Sequence, residues 1–218
     1  MNPILIVSAT EAECVPTLHK MTERKTISPY LFSGTLQGHS IEVLISGIGC
    51  VATTFRLTQT LMQRSYSRVV SIGIAGSFAE DTYIGETVQI TEDCFADLGI
   101  DDNGQFLNFR EVGLPYDDFD CDFIINPAPI TSPHRKVRGI TVQTASGSKK
   151  RIDELIARFQ PQVETMENAV FFYVCRKMQI PFISLRAISN KVEPRNRKNW
   201  QIDEAIENVN NSLTELLT

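Results

Sequence analysis

Short runs of apolar, often β-branched residues recur along the chain and alternate with segments of helical periodicity. Apolar runs of about four to eight residues are typical of strands that are buried on both faces. The pattern predicts strands at 3–8, 41–46, 68–74, 86–93, 137–144 and 181–189, with a shorter β-like run at 163–165.

Helical periodicity fills most of the segments between these runs. Thr10 is expected to cap a helix that ends at about Lys20, with Glu13 at the third position of a capping box. Further helices are predicted at about 51–63, 149–159, 168–178 and 202–217. In the second helix, the candidate core positions are Phe55, Leu57, Leu61 and Met62.

Apolar strands that alternate with helices indicate an α/β fold, with a mostly parallel, twisted central sheet and helices on both faces. We expect one domain over residues 1–218, in which the proline-containing stretch at 95–135 is a loop region too polar for the core. In such sheets, ligands bind beyond the carboxyl ends of the strands. The segments to inspect are therefore 8–13, 46–49, 74–77, 144–148 and 189–194.

Composition narrows the class of protein. The formal net charge is −5, from 21 Lys and Arg against 26 Asp and Glu, which argues against nucleic acid as a partner. No apolar run approaches the roughly 18 residues of a membrane span, and the N-terminus lacks a signal-peptide pattern. The five cysteines form no C-x-x-C pair. We therefore expect a reduced, cytoplasmic protein with no membrane partner, disulfide framework or zinc site.

A glycine loop after the second predicted strand has two interpretations. The segment Gly47-Ile48-Gly49-Cys50-Val51-Ala52 fits the G-x-G-x-x-A pattern of dinucleotide-binding turns. Such a site needs an acidic residue about 20 positions further on, and there is no Asp or Glu from Val43 to Ala79. Glycines that permit a tight turn between strand and helix are the better explanation, and the same holds for Ile74-Ala75-Gly76.

Two glutamates stand where a helix begins at the ligand-binding edge of the sheet. Glu13 could act as a general base toward water, although its spacing from Thr10 alone favours a capping role. Glu167 precedes an apolar helix, where the macrodipole alone favours a carboxylate. It could also bind the two hydroxyls of a ribose.

Arg186 and Asn190, on the last predicted strand, are the most informative candidate site residues. Arg186 interrupts the apolar strand PFISLRAIS, and a buried guanidinium without partners is costly. It needs a carboxylate or a cluster of backbone groups, and Glu13 and Glu167 are candidates. Asn190 ends the strand as a turn residue or as a side chain that both donates and accepts hydrogen bonds.

In combination, these segments resemble the purine nucleoside phosphorylase and nucleosidase superfamily. The matching segments occur in the family's order and are ILIVSATEAE, ISGIGCVATT, VVSIGIAGSFAEDTYIGETV, RGITVQTASGS, VETMENAV and PFISLRAISN. The resemblance covers nearly the whole chain. It is strongest to the hydrolytic branch, which contains methylthioadenosine/S-adenosylhomocysteine nucleosidases and futalosine hydrolases.

The resemblance implies a role for each matching residue. Glu13 would activate the attacking water, Met166 and Glu167 would hold the ribose, and Arg186 would position the carboxylates. Trp200 falls where the nucleosidases carry an aromatic side chain over the 5′ substituent. Further contacts with the substrate are expected from Ile74, Ala75 and Gly76 and from Ser146 and Gly147.

Asn190 departs from the methylthioadenosine nucleosidases, which carry an aspartate at this position. An ionised aspartate only accepts hydrogen bonds, whereas an amide can donate to N7 or to a 6-oxo group. A site that pairs with one exocyclic group can reject the other by a factor on the order of 10⁴. Asn190 therefore favours a 6-oxopurine, hypoxanthine, over adenine.

The segment after the last strand is basic, with Lys191, Arg195, Arg197 and Lys198 against Glu193. It is similar to the corresponding loop of futalosine hydrolases, whose substrate carries a carboxylate at its 5′ end. Arg195 or Arg197 would bind that carboxylate, since a guanidinium pairs with it bidentately. Charge alone would favour a solvated loop.

The first loop favours water over phosphate as the nucleophile, because Glu11 and Glu13 would repel phosphate. The resemblance thus implies a futalosine hydrolase without metal or organic cofactor, acting on a small nucleoside and water. Alternatives are a nucleosidase for methylthioadenosine or inosine, a catalytically idle nucleoside-binding protein, and a dinucleotide-dependent oxidoreductase. Relatives are homo-oligomers, commonly dimers. We expect the stretch at about 101–135 to close the neighbour's 5′ site.

Overall fold

Strands and helices alternate along the chain in a computed structural model that describes residues 2–114, 123–194 and 196–218. The strands are β1 (Ile4–Ser8), β2 (Thr22–Ser28), β3 (Leu31–Leu36), β4 (His39–Ile45), β5 (Arg68–Ser77), β6 (Thr87–Asp93), β7 (Ile100–Asp102), β8 (Gln105–Leu107), β9 (Ile124–Ile125), β10 (Arg135–Thr141), β11 (Val163–Thr165) and β12 (Phe182–Lys191). The helices are α1 (Glu11–Lys20), α2 (Gly49–Gln63), α3 (Lys149–Phe159), α4 (Asn168–Lys177) and α5 (Ile202–Leu216). Every predicted strand and helix occurs, with shifts of a few residues at the ends.

One large sheet has the strand order β11-β10-β6-β12-β5-β1-β4-β3-β2, and β9 pairs with β6. Its centre is parallel, through the pairs β12–β5, β5–β1 and β1–β4. The pairs β12–β6, β3–β4 and β2–β3 are antiparallel. Because β11 pairs with both β10 and β5, this half of the sheet closes on itself. The predicted α/β fold is confirmed, with a mixed sheet.

Helices cover both faces of the sheet. α2 and α4 pack on one face, where Leu57 and Phe172 share a buried cluster with Val69. α1 and α5 pack on the other face, where Leu18 and Val209 belong to a second cluster. The α1 prediction is confirmed in detail, since the capping box between Thr10 and Glu13 is present.

The predicted core face of α2 is only partly right. Leu57 is buried and Leu61 half-buried, but Phe55 is 66% exposed and Met62 75% exposed. The helix buries Thr53 and Thr60 together with Leu57, so the inward stripe is narrower and more polar than the apolar count suggests. Phe55 and Met62 project away from this stripe, which is why the prediction failed for them.

The described residues of the stretch at 95–135 form more regular structure than predicted. It contains β7, β8 and β9, and it contributes Ala96, Ile124 and Asn126 to the buried interior. The amide of Asn126 donates to the carbonyl of Phe182 at 2.9 Å, which explains how a polar residue is accommodated there. The expectation that this stretch is too polar for the core was therefore wrong.

Candidate active site

A cavity of about 390 Å³ opens at the carboxyl ends of β1, β5 and β12. This is the edge at which ligands of parallel sheets bind. Most of the residues that the sequence singled out line it: Glu13, Ile74, Ala75, Gly76, Ser146, Met166, Glu167, Asn190 and Trp200. Residues from distant parts of the chain thus meet at one site, and Ile74, Ala75 and Gly76 do so from within β5 rather than from a turn.

Glu13 is held from two sides. One carboxylate oxygen, Oε2, accepts hydrogen bonds from the backbone N–H and the hydroxyl of Thr10, both at 2.9 Å. The other oxygen, Oε1, accepts from the N–H of Ile74 at 3.2 Å. The capping and functional interpretations of Glu13 are therefore compatible, because the capping box holds the carboxylate in the cavity wall.

Glu167 precedes α4 but does not cap it with its side chain. Its Oε1 instead accepts a hydrogen bond from the N–H of Gly49 at 2.7 Å. Gly49 is the first residue of α2 and has a φ of 81°, while Gly47 has a φ of 87°. Positive φ explains both glycines of this loop. The helix N-terminus that would bind a dinucleotide phosphate holds a carboxylate here.

The pKa of Glu167 is raised by burial, which outweighs the opposing effects of the Gly49 N–H and of Arg186. Glu13 adds to the rise through like-charge repulsion. The charge of Glu13 thus disfavours the ionised form of Glu167 in the same cavity wall. Arg186 partly offsets this repulsion.

Arg186 lies beneath the cavity and is 4% exposed. Its guanidinium donates to the hydroxyl of Ser184 at 3.2 Å, the carbonyl of Leu185 at 2.9 Å and the hydroxyl of Ser71 at 3.0 Å. Burial lowers the pKa of Arg186, and Glu167 and Glu13 act through space in the opposite direction. The buried cation is thus compensated by hydroxyls, a carbonyl and the nearby carboxylates.

Close packing at Gly73 brings Glu13 and Arg186 together. A Cβ atom at this position would lie 2.8 Å from Glu13 Oε1 and 3.5 Å from Arg186 Nε. A side chain here would displace the carboxylate of Glu13, whereas the distance to Arg186 is an ordinary contact, so glycine keeps Glu13 in place. This glycine is a feature of the site that sequence reasoning missed, although it lies in the VVSIGIAG segment.

Asn190 lines the cavity next to Gly76, its partner in the register between β12 and β5. Its Oδ1 accepts a hydrogen bond from the Ser189 hydroxyl at 2.8 Å, and its Nδ2 donates to the carbonyl of Lys191 at 2.8 Å. An amide nitrogen carries two hydrogens, so one donor remains for a ligand. These contacts fix the orientation of the amide and leave one of its N–H groups for a ligand.

Glu164 is a cavity residue that the sequence analysis missed. It pairs with Gly76 across the β11–β5 register, so Gly76 separates it from Asn190. Its carboxylate accepts from the backbone N–H of Ser146 at 2.9 Å and also from the Ser146 hydroxyl. Burial raises the pKa of Glu164. Gly147, next to Ser146, is exposed and is not part of the cavity wall, contrary to prediction.

The far end of the cavity is bounded by Trp200, Ile202 and Ile206. Arg197 is exposed and does not line the cavity, but its guanidinium lies 5.8 Å from the centre of the Trp200 ring. This is within the range of a cation–π contact. Arg195 lies outside the described residues.

Within the described residues, there is no cluster of three or more His, Cys, Asp or Glu side chains that could hold a metal ion. No helix among the described residues is long and apolar enough to cross a membrane.

Comparisons with known proteins bear on the family of this chain. A family model described as the phosphorylase superfamily matches residues 3–218. A futalosine hydrolase from Thermus thermophilus is 26% identical over 187 residues, which cover 84% of this chain and 83% of the relative. A 5′-methylthioadenosine/S-adenosylhomocysteine nucleosidase from Anoxybacillus flavithermus is 28% identical over 199 residues, which cover 86% and 84%.

A solved structure shares the fold. The 5′-methylthioadenosine/S-adenosylhomocysteine nucleosidase from Neisseria meningitidis, crystallised with methylthio-immucillin-A, superposes with a TM-score of 0.86. The match covers 100% of this chain and 99% of that one at 16% sequence identity. At this identity, the likeness concerns the fold alone.

Proposed function

Because this chain belongs to the phosphorylase superfamily, we propose that it is a nucleosidase that hydrolyses the N-glycosidic bond of futalosine. The products would be hypoxanthine and dehypoxanthine futalosine, in the futalosine route to menaquinone. Relatives named as futalosine hydrolases and as methylthioadenosine/S-adenosylhomocysteine nucleosidases both support a hydrolase of N-glycosidic bonds. The choice between these substrates rests on the site.

The neutral amide of Asn190 in the cavity wall carries the futalosine assignment. Its unused donor hydrogen suits N7 or the 6-oxo group of hypoxanthine. An adenine 6-amino group would instead face a second donor. The amide also provides no strong acid for N7, so the departing base is stabilised mainly by hydrogen bonds.

The carboxylate in the first loop supports water as the nucleophile. Of the two acidic residues there, Glu13 lines the cavity and Glu11 is exposed. A carboxylate would repel phosphate but accept a proton from water. Because the N–H groups of Thr10 and Ile74 hold Glu13 in place, it is oriented before the substrate arrives.

The mechanism follows from these positions. Glu167 holds the ribose hydroxyls while the glycosidic bond breaks and positive charge develops on the sugar. Asn190 and backbone groups of the 144–148 loop, which lines the cavity at Ala145 and Ser146, hold the departing purine. Glu13 takes one proton from the water, whose oxygen forms the new bond to C1′, and the departing purine anion takes up a proton from solvent to become hypoxanthine. Arg186, beneath both carboxylates, positions them and limits their mutual repulsion.

The 5′ end of the substrate would lie under Trp200, with the carboxylate of futalosine reaching toward the basic segment. Arg197 is the described arginine that approaches this end, through its contact with the Trp200 ring. The exposed position of Arg197 also leaves room for the alternative, a methylthioadenosine-type nucleosidase. Such an enzyme binds an uncharged 5′ group and needs no cation at the rim.

The deciding experiment is a chromatographic assay of base release. Futalosine, 6-amino-6-deoxyfutalosine, inosine and methylthioadenosine are each incubated with the protein, with and without phosphate. Release of hypoxanthine from futalosine without phosphate is the expected result. Adenine from the amino substrates would keep the hydrolase but overturn the assignment based on Asn190. No base from any of the four would overturn the proposed function.

We also propose that the protein acts as a homodimer. Ile48, Val51, Phe55 and Met62 form an apolar stripe on the outward face of α2, at 63%, 83%, 66% and 75% exposure. Their spacing of three, four and seven residues places them on one side of the helix. Ile48 also lines the cavity, so a second copy that covers this stripe would complete the cavity wall. Of the stretch at 101–135 that we expect to reach the neighbour, residues 115–122 lie outside the described residues.

A further inference from the structure

A cluster of polar side chains lies behind the cavity and takes no part in the mechanism above. It consists of Asp93, Thr141, Asn168 and Ser184, each of which is 0% exposed. Buried polar groups cost free energy unless they are hydrogen-bonded. The contacts of this cluster therefore indicate what it does.

The cluster is a continuous chain of hydrogen bonds that ends at Arg186. Asp93 accepts from the Thr141 hydroxyl and from the Asn168 amide nitrogen, both at 2.9 Å. The Asn168 amide oxygen accepts from the Ser184 hydroxyl at 2.5 Å. That hydroxyl accepts from the guanidinium of Arg186 at 3.2 Å. Asp93 is thus linked to the cation that lies under the two cavity carboxylates.

The same cluster forms the start of α4. A residue that precedes a helix commonly uses its own side chain to cap the first N–H groups. Glu167 does not, and two threonine hydroxyls replace it. The N–H of Asn168 donates to Thr165 Oγ1 at 3.3 Å, and the N–H of Ala169 donates to Thr141 Oγ1 at 2.7 Å. The carboxylate of Glu167 is therefore free to bond with Gly49 and face the cavity.

We propose that Asp93, Thr141, Asn168 and Ser184 are positioning residues, which orient Glu167 from the start of α4 and Arg186 from beneath the cavity. Asn168 is the centre of this arrangement, because it follows Glu167 in the chain and bonds to both Asp93 and Ser184. The inference rests on the proposed function, since it assigns these residues to the same site.

The electrostatics agree with a functional role for the cluster. Burial raises the pKa of Asp93 to about 7, and the hydrogen bonds from Asn168 and Thr141 and the charge of Arg186 only partly oppose this. An ionised carboxylate at this position therefore costs folding free energy. Proteins accept such a cost in folding free energy mainly at functional sites.

The test compares variants that conserve shape. Thr141→Val removes the hydroxyl at nearly constant volume, whereas Thr141→Ser keeps it. Asp93→Asn removes the charge and one acceptor. The control is Asn126→Asp, a buried polar substitution whose side chain contacts Phe182 at the other end of β12. We expect kcat/KM, measured where each protein is fully folded, to fall about 10- to 100-fold in Thr141→Val and Asp93→Asn. Thr141→Ser and the control should stay within about threefold of the parent protein.

A second readout does not depend on the substrate. The amide signal of Gly49 in a ¹⁵N–¹H NMR spectrum reports its hydrogen bond with Glu167. It should shift in Thr141→Val and Asp93→Asn toward its position in Glu167→Gln, but not in the control. If Asp93→Asn does not fold, Ser184→Ala breaks the chain at its link to Arg186.

Two different results would overturn the positioning role and the proposed function separately. Variants with a lower melting temperature but unchanged kcat/KM and an unchanged Gly49 signal would show that the cluster serves stability alone, and the inference would be wrong. A parent protein that cleaves no nucleoside would overturn the proposed function. The Gly49 signal would still decide whether the cluster positions Glu167.

Discussion

Asn190 presents a neutral amide where an ionised aspartate would present only acceptors. The change Asn190→Asp should lower kcat/KM for futalosine about 10- to 100-fold, because the hydrogen bond to the base loses its donor. Activity on 6-amino-6-deoxyfutalosine should fall less or rise. Parallel kinetics on the two substrates measure the ratio. An unchanged ratio would remove the argument for a 6-oxopurine.

Arg197 is the residue whose role is easiest to separate from catalysis. If its guanidinium binds the carboxylate of futalosine, Arg197→Ala should raise KM for futalosine by about tenfold and leave kcat nearly unchanged. Arg197→Lys should recover only part of the loss, since an ammonium cannot bind bidentately. Equal KM values in the parent and both variants, with Arg195→Ala measured alongside, would exclude a role for Arg197 in carboxylate binding.

Asp93 should make stability depend on pH. Its folded pKa of about 7 lies above its ordinary value near 3.8, so the folded protein binds the proton more tightly than the unfolded chain. The resulting stabilisation is complete below the ordinary value and is lost as the pH rises through about 7. In Asp93→Asn, the free energy of unfolding should fall less steeply with rising pH, by up to about 1.4 kcal/mol per pH unit. Urea unfolding of both proteins at pH 5 and pH 8 measures the difference, and parallel profiles would contradict it.

Individual site residues were predictable where a motif and a strand end coincide, as for Glu13, Glu167 and Asn190. Glu164 was not, since its place in the cavity wall depends on the register of β11 against β5. The packing of Gly73 under Glu13 and Arg186 likewise depends on tertiary contacts. Neither relationship leaves a periodic or spacing signal in the sequence.

At the scale of elements, α2 is held to the sheet by a narrow buried stripe of Thr53, Leu57 and Thr60. Leu57→Ala should destabilise the fold by about 2–5 kcal/mol, because Leu57 is fully buried between α2 and the sheet. Gln59→Ala, an exposed change two residues away, should alter stability by less than about 0.5 kcal/mol. Thermal and urea unfolding measure both, and equal losses would contradict the burial pattern.

The hairpin of β2 and β3 is a part of the large sheet that the sequence did not predict, as the short strands β7, β8 and β9 also were not. β2 reads TERKTIS, is mostly exposed and has no alternation of apolar and polar residues, so no periodic signal marks it. β2 becomes a strand because it pairs with β3, which in turn pairs with β4 on its other side. The helices were easier, since their caps and apolar spacing are local features.

At the scale of the whole molecule, the apolar stripe of α2 should determine the oligomeric state. Phe55→Asp places a charge in the middle of the stripe formed by Ile48, Val51, Phe55 and Met62. We expect the parent protein to be a dimer by light scattering after gel filtration, and the variant to be largely monomeric with a raised KM. Thr54→Asp is the matched control, since Thr54 is also exposed on α2 but lies about 100° around the helix from Phe55. A dimer that persists in Phe55→Asp would place the interface elsewhere.

The closure of the sheet through β11 and β5 has a consequence for solubility. Among the described residues, β5, β6, β10, β11 and β12 each have a neighbouring strand on both sides, so none of them is an edge strand open to another molecule. The open end of the strand order is β2, where Glu23, Arg24 and Lys25 are exposed. Charged side chains on an edge strand oppose edge-to-edge pairing. The architecture that assembles the cavity therefore also protects the chain against growth into β-aggregates.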